Sequence, residues 1–408
     1  MRVLLIICDG MADRPVDRKT PLQRARKPTM DAIAEDSICG ISDPIGVGIV
    51  PGSDTAHLAL FGYDPYKYYH GRGVFEALGA GIKLYEGDVA IRCNFATAEA
   101  GTSITDRRAG RIESADAEAL AAAIKQIKIR DVDFFFNHTV GHRGVLVIRG
   151  AAISPRISDT DPHQPTGAVA PLMKSRPLDA TEAARRTADA LNDWTRKVNE
   201  ILKVHPVNKK RKQAKKQQAN IILCRGASPP PVGIPKFEEK YGLSAACVAG
   251  GMLYKGVAKY VGMDVIPVKG ATATPDTNLQ AKVSATLDAL KKYDFVFLHI
   301  KGCDMVSHDG DAAAKVKFIE RIDKALKPLL GLKDTLIILT SDHTTAVSLK
   351  AHSADPVSIA IMGDGVRVDR VSKFDEVSCA EGGLQKINHL DILPIVLGLL
   401  GKAPMFGT

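Results

Sequence analysis

Val3-Leu4-Leu5-Ile6-Ile7-Cys8-Asp9-Gly10 is a short apolar run of branched residues stopped by an acid and a glycine, and its form decides the fold class. A run this short, with no polar residue on alternate positions, reads as a strand covered on both faces, which is the mark of a parallel sheet. Three later segments repeat it. Phe295–Ile300 runs into Lys301-Gly302-Cys303-Asp304, residues 336–340 run into Ser341-Asp342-His343, and Val357–Met362 runs into Gly363-Asp364-Gly365. Between these runs the apolar spacing predicts helices over 278–292, opened by Thr274-Pro275-Asp276 as cap and first turn, and over 312–330. Strands alternating with helices predict an α/β fold, a mostly parallel sheet with helices on both faces. Functional residues then belong at the carboxyl ends of the strands.

The middle of the chain reads differently. Polar and glycine-rich turns surround a strand candidate at 144–149, and a long helix is predicted over 179–204, with Leu191, Trp194, Val198, Ile201 and Leu202 as one core-facing stripe. Pro229-Pro230-Pro231 and the basic residues before it mark the far edge. The economical reading is a smaller α/β (α+β) domain inserted into the first, over residues 83–236, leaving 1–82 and 237–408 as one discontinuous domain.

At 408 residues, 45% hydrophobic and 25% charged, the chain is expected to form two packed domains. The net charge of +9 gathers largely at Lys209, Lys210, Arg211, Lys212, Lys215 and Lys216. Without zinc-finger spacing or an aromatic RNA-binding signature, that run reads as a solvated loop or helix end, and no nucleic-acid partner is expected. Seven scattered cysteines with no Cys-x-x-Cys pair fit free thiols in a reducing compartment. The first residues are too short an apolar run for a signal peptide and no apolar span reaches membrane length, so a cytoplasmic protein without membrane contact is expected.

Acids and histidines fall where the strand-end rule places function. Asp9 closes the first run. Asp304 and His308 stand at i and i+4 after the second, a spacing that turns carboxylate and imidazole toward one point. Asp342 and His343 follow the third, and His352 lies a short loop beyond. One such pair is an ordinary hydrogen-bonded contact; the joint placement suits manganese, zinc or another hard-to-borderline divalent ion, in a two-metal site. Ser53, in Pro51-Gly52-Ser53-Asp54-Thr55-Ala56-His57, opens a helix after a tight turn. Alone it would be an N-cap; beside the metal cluster it becomes a nucleophile, with helix-start amides placed to hold phosphate oxygens.

The order Asp9, Ser53, Asp304-x-x-x-His308, Asp342-His343, His352 resembles the metal and nucleophile pattern of the alkaline phosphatase superfamily. More narrowly, Leu58-Ala59-Leu60-Phe61-Gly62-Tyr63-Asp64-Pro65, the segment from Gly71 to Gly81, Arg92-Cys93-Asn94-Phe95-Ala96-Thr97 and His352-Ser353-Ala354-Asp355-Pro356-Val357 are similar to archaeal cofactor-independent phosphoglycerate mutases. The resemblance implies an alkaline-phosphatase-like fold with an inserted cap and two divalent ions, manganese foremost, with magnesium, zinc or cobalt as alternatives. Asp304, His308 and His352 would hold one ion, and Asp9, Asp342, His343 and the Ser53 oxygen the other. Ser53 would take the phosphoryl group of 3-phosphoglycerate and return it to the other hydroxyl of glycerate, giving 2-phosphoglycerate without bisphosphoglycerate. A small-molecule substrate and a homo-oligomer are compatible with this.

Binding glycerate requires arginine and a proton shuttle. Arg92, Asn94, Asp106, Arg107, Arg111, Asp161 and His163 are the candidates in the inserted domain, with Lys301 from the metal domain. The rival readings are a metal-dependent phosphatase or phosphonate hydrolase, in which water resolves the phosphoserine, a phosphopentomutase, and a basic nucleic-acid-binding protein. An arginine-bearing inserted domain that excludes water favours the mutase.

Overall fold

Arg2–Cys8 lies between Phe295–Ile300 and Thr335–Thr340, parallel to both, at the heart of an eight-stranded sheet. The computed structural model describes residues 1–99, 103–163, 168–405 and 407, and it divides into two compact units, Met1–Tyr69 with Ile234–Thr408, and His70–Gly233. The sheet belongs to the first unit. Its order is Asp264–Val265, Ala245–Val248, Phe295–Ile300, Arg2–Cys8, Thr335–Thr340, Val357–Met362, Ser37–Asp43 and Gln385–Asn388. Alternate residues serve opposite faces. Val296, Leu298 and Ile300 join the core that contains Val283, Phe318 and Ile322, whereas Phe295 and Phe297 meet Phe237 and Phe61 on the other side. Helices therefore cover both faces, and the run-to-acid junctions after Cys8, Ile300 and Thr340 fall at one end of the sheet.

Val357–Met362, which has the look of a parallel strand, runs antiparallel to both neighbours, with Ile337 opposite Met362 and Val357 opposite Ser42. Its apolar run reports burial on two faces, not direction. No helix lies between Thr340 and Val357, only the hairpin Thr344–Ala346 and Ala351–Ser353, so no parallel crossover is available. The helix predicted at 278–292 spans Leu279–Ala289 and is capped by Asn278, whose side chain accepts from the Ala281 N–H at 2.9 Å; the turn at Thr274–Thr277 precedes it.

The second unit is built on an antiparallel sheet of which only one strand was legible in the sequence. Val89–Glu99 is central, with Arg143–Arg149 on one side and Ile221–Ser228 on the other. Gln126–Ile129, Val132–Val140, Ser103–Asp106 and Ala170–Pro171 complete it. The long helix spans Glu182–Val204 behind a Thr181 cap, and buries Leu191, Trp194, Val198 and Leu202, with Trp194 stacked on Phe134; Ile201 is only partly buried.

The division falls after Tyr69 and before Ile234, not after residue 82 and before residue 237. The reason is Gly73–Gly79, which packs against Val89–Glu99 so closely that a Cβ on Gly73 would lie 2.1 Å from the Ala90 carbonyl oxygen. In the basic run, Pro206–Gln213 is helical. Its lysines are exposed, but Arg211 is buried, paired with Asp116 at 2.8 Å and bonded to the Ala109 and Gln217 carbonyls. Among the described residues no helix is long and apolar enough to cross a membrane.

Candidate metal centre

Three strand ends and one hairpin deliver the acids and imidazoles to two groups. Asp304, His308 and His352 form one; Asp9, Asp342 and His343 form the other; within each group the ligand atoms all lie within 4.8 Å of one another. The short helix Gly302–Asp309 begins directly after Phe295–Ile300, so Asp304 and His308 sit one turn apart and His308 Nε2 is 3.2 Å from Asp304 Oδ1. The hairpin adds His352, with Nε2 also 3.2 Å from Asp304 Oδ1. In the second group His343 Nε2 lies 3.2 Å from Asp342 Oδ2 and 3.8 Å from Asp9 Oδ1.

The surroundings fix which atom each ring presents. His308 Nδ1 meets the Lys350 carbonyl at 2.8 Å and His352 Nδ1 meets the Pro51 carbonyl at 2.9 Å, so each Nδ1–H is engaged and each Nε2 lone pair is free to face the group. Behind the second group, fully buried His299 approaches Asp9 Oδ2 with Nε2 at 3.0 Å and stacks on Tyr254. Burial, reinforced by the charges of Lys282 and Lys301, holds His299 well below the usual imidazole range, so it is neutral and donates to the carboxylate.

Electrostatics make these groups fit a divalent cation. Burial and the neighbouring Asp9 charge push the Asp342 carboxyl well above the usual range, and its Oδ2 is buried without a hydrogen bond. For Asp304, burial alone would raise the carboxyl, but Lys301 at 2.7 Å and the imidazoles of His308 and His352 hold it well below. Lys301 also lies 3.4 Å from Asp9 Oδ2. Three carboxyl groups thus share a largely buried space with Lys301, and an unpartnered carboxyl oxygen lies among them; bound cations relieve that imbalance. Two imidazoles with one carboxylate, and two carboxylates with one imidazole, suit borderline divalent ions.

Ser53 is the first residue of the helix Ser53–Leu60, and Gly52, not Ser53, is the cap. Its Oγ lies 3.2 Å from His343 Nε2. The extended Gly52 after Pro51 turns the chain so that the N–H groups of the first turn are those without an intrahelical acceptor, which makes the serine the neighbour of an anion-binding helix start. One turn on, His57 Nδ1 donates to the Ser53 carbonyl at 2.6 Å; burial drives this ring to about 3, so it is a neutral brace for the nucleophile's helix. Nothing in the sequence distinguished His57 from the rest of that helix.

In the second unit the substrate candidates separate. Buried Arg92 lies 3.6 Å from Glu76, which also takes Arg72 at 3.3 Å. Arg107 grips Asp161 with two bonds of 2.6 Å, and Arg225 approaches the same carboxylate at 3.8 Å. Burial and the like charges of Arg72, Arg225 and Arg143 depress the Arg92 guanidinium despite Glu76. Arg72, Arg92, Arg107, Arg143 and Arg225 thus outnumber Glu76, Asp159 and Asp161 in one neighbourhood. Asn94 is buried nearby on the same strand with Oδ1 unpartnered. Asp106 is instead a turn-former, accepting from the Arg108 and Gly110 N–H groups. Arg111 is exposed with φ 54°, and exposed His163 pairs with Asp159 at 2.9 Å. Arg72, Glu76, Arg143 and Arg225 carry no local signal of a site, although Arg72 and Glu76 stand inside the segment from Gly71 to Gly81.

Known proteins resemble the chain from end to end. Residues 34–208 match the family model described as 2,3-bisphosphoglycerate-independent phosphoglycerate mutase. A protein of that name from Archaeoglobus fulgidus is 48% identical, covering all of both chains, and one from Methanocaldococcus jannaschii is 46% identical over all of this chain and 99% of its own. Among solved structures, a Pyrococcus horikoshii protein superposes with TM-score 0.87 at 36% identity, covering 100% of this chain and 99% of its own. The cofactor-independent phosphoglycerate mutase of Thermoplasma acidophilum gives 0.71 at 37%, covering 98% and 100%. Identity of this extent over the whole length places the chain in the 2,3-bisphosphoglycerate-independent phosphoglycerate mutase family.

Proposed function

We propose that this chain interconverts 3-phosphoglycerate and 2-phosphoglycerate through a phosphorylated Ser53, with two divalent ions and no bisphosphoglycerate. The observation that carries the reading is Ser53 Oγ at the start of a helix, 3.2 Å from His343 and beside two three-residue ligand groups. Asp304, His308 and His352 would hold one ion, and Asp9, Asp342, His343 and the Ser53 oxygen the other. Manganese suits this mixed donor set best, with magnesium, zinc or cobalt as alternatives. Bound ions neutralise charge on the entering and departing oxygens of the phosphoryl group.

The chain's own residues do the rest. The Ser53 oxygen forms its bond to phosphorus as the bond to the 3-hydroxyl oxygen of glycerate breaks, and the first-turn amides offer donors to the phosphoryl oxygens. The same exchange, run toward the 2-hydroxyl, regenerates the serine. Lys301 supplies a fixed positive charge between the two groups. The guanidiniums around Arg92 are the sites proposed for the substrate carboxylate, because an excess of buried positive charge demands an anion. Asp161 and Arg107 brace each other, and Asn94 offers an unpartnered acceptor to a hydroxyl. Activity on a small metabolite, in the cytoplasm, follows from this reading.

Metal-loaded protein given 3-phosphoglycerate, with enolase coupling and a parallel assay of free phosphate, tests it. Formation of 2-phosphoglycerate without stoichiometric phosphate is expected. Phosphate released without isomerisation would mean that water resolves the intermediate and the chain is a hydrolase. Arg92→Ala removes a charge-assisted contact worth about 2 kcal/mol. The expected result is a kcat/KM lowered roughly thirty-fold, mostly through KM. Unchanged kinetics would remove Arg92 from the substrate site.

A further inference from the structure

Besides Lys301, a second side chain that belongs to neither ligand group touches a member of each. Thr345 is fully buried, its Oγ1 lies 2.9 Å from Asp304 Oδ1, and the same atom lies 3.1 Å from His343 Nδ1. We propose that Thr345 is a positioning residue that couples the two groups, its single hydroxyl fixing the carboxylate of one and the imidazole tautomer of the other. The inference rests on the two-ion reading above.

Counting protons sets the direction of the relay. An ionised Asp304 can only accept, so the threonine proton goes to Oδ1. The hydroxyl oxygen then has only lone pairs for His343, whose Nδ1 must carry the ring proton. His343 is thereby held with Nε2 unprotonated, and Nε2 is the atom facing Ser53, Asp342 and Asp9. One hydroxyl therefore determines both which oxygen of Asp304 is occupied and which nitrogen of His343 is available.

The backbone gives Thr345 no latitude. It sits opposite His352 in the hairpin, its N–H donates to the Ala12 carbonyl at 3.2 Å, and its carbonyl accepts from buried Lys315 at 2.9 Å. Lys315 in turn holds the Ala12 carbonyl at 3.1 Å and Asp13 at 2.7 Å, tying the loop after Asp9 to the hairpin. Gly10 makes the approach feasible: at φ 64°, a Cβ there would lie 2.5 Å from Thr345 Oγ1 and 2.8 Å from Asp304 Cβ.

Manganese titration of metal-stripped wild type, Thr345→Val and Thr345→Ser, followed by electron paramagnetic resonance, tests the coupling. Thermal unfolding of each stripped protein and the ¹⁵N shifts of His343 are read alongside. Thr345→Val keeps the shape and deletes the hydroxyl; Thr345→Ser does the reverse. Wild type is expected to bind two ions, the valine variant to bind both roughly 10- to 100-fold more weakly with the Nδ1–H tautomer of His343 lost, and the serine variant to bind within about three-fold of wild type. Valine binding both ions as wild type does, weakening confined to one site, or equal weakening in valine and serine would each overturn the coupling. A wild type that binds fewer than two ions would overturn the two-ion reading itself, and this inference with it. Should the valine variant not fold, Thr345→Ala against Thr345→Ser makes the same comparison.

Discussion

Ser53→Ala is expected to lower mutase turnover by at least ~10³-fold while leaving the fold intact, since losing a nucleophile removes the covalent route and not merely a contact. The fold survives because Ser53 is the first helical residue and Gly52 is the cap, so no capping hydrogen bond is lost and stability should change by less than ~1 kcal/mol. The helix's own buried His57, and the rings of Phe61 and Phe297 that it meets, are untouched. Enolase-coupled turnover and thermal unfolding of the same preparation check both halves. A variant that keeps more than a tenth of wild-type activity would place the nucleophile elsewhere.

Metal removal is the second large effect. Asp9, Asp304 and Asp342 are buried together with Lys301 as their cationic neighbour, and Asp342 Oδ2 has no hydrogen-bond partner. Each ion held at a hundred times its dissociation constant stabilises the folded state by about 2.7 kcal/mol. Stripping both with a chelator should therefore lower Tm by on the order of 10 °C. Activity should fall to background, and both should return when a divalent ion is added back. Asp304→Asn should mimic half of this, because it weakens the ligand shared by His308 and His352. A chelated protein with unchanged Tm and unchanged turnover would reduce the two groups to hydrogen-bonded structural pairs.

The first unit was legible because its strands are buried on both faces. Arg2–Cys8 is apolar at every buried position and Phe295–Ile300 at every one but His299, and the acid or lysine that ends each run marks the sheet edge where function collects. Val357–Met362 shows the limit of that signal, since burial writes the same pattern into a strand of either direction. The sequence does not single out Asn278 as the cap, because the Thr274-Pro275-Asp276 turn carries an equally good local signal, and only the packed helix selects between them. In the second unit the outer strands Gln126–Ile129 and Val132–Val140 are half-exposed and flanked by polar turns, so Val132–Val140, with its mixed burial, reads as irregular.

The site divides along the same line. Asp9, Asp304, His308, Asp342, His343 and His352 sit in short motifs at strand ends, and the spacing within each motif is local, so the sequence by itself determined which side chains stand at the sheet edge. Which of them share a group is a matter of long-range register: Asp304 meets His352, 48 residues on, only because the hairpin folds Thr345 against it. The arginines show the same division more sharply. Arg72, Arg92, Arg143 and Arg225 come from four separate segments and become one electrostatic neighbourhood only when antiparallel pairing sets the strands of Arg92, Arg143 and Arg225 side by side and the helix that follows Arg72 packs against them. Local chemistry is carried by neighbours in the chain, whereas charge crowding, tautomer choice and an orphaned oxygen depend on distances that only the tertiary structure decides.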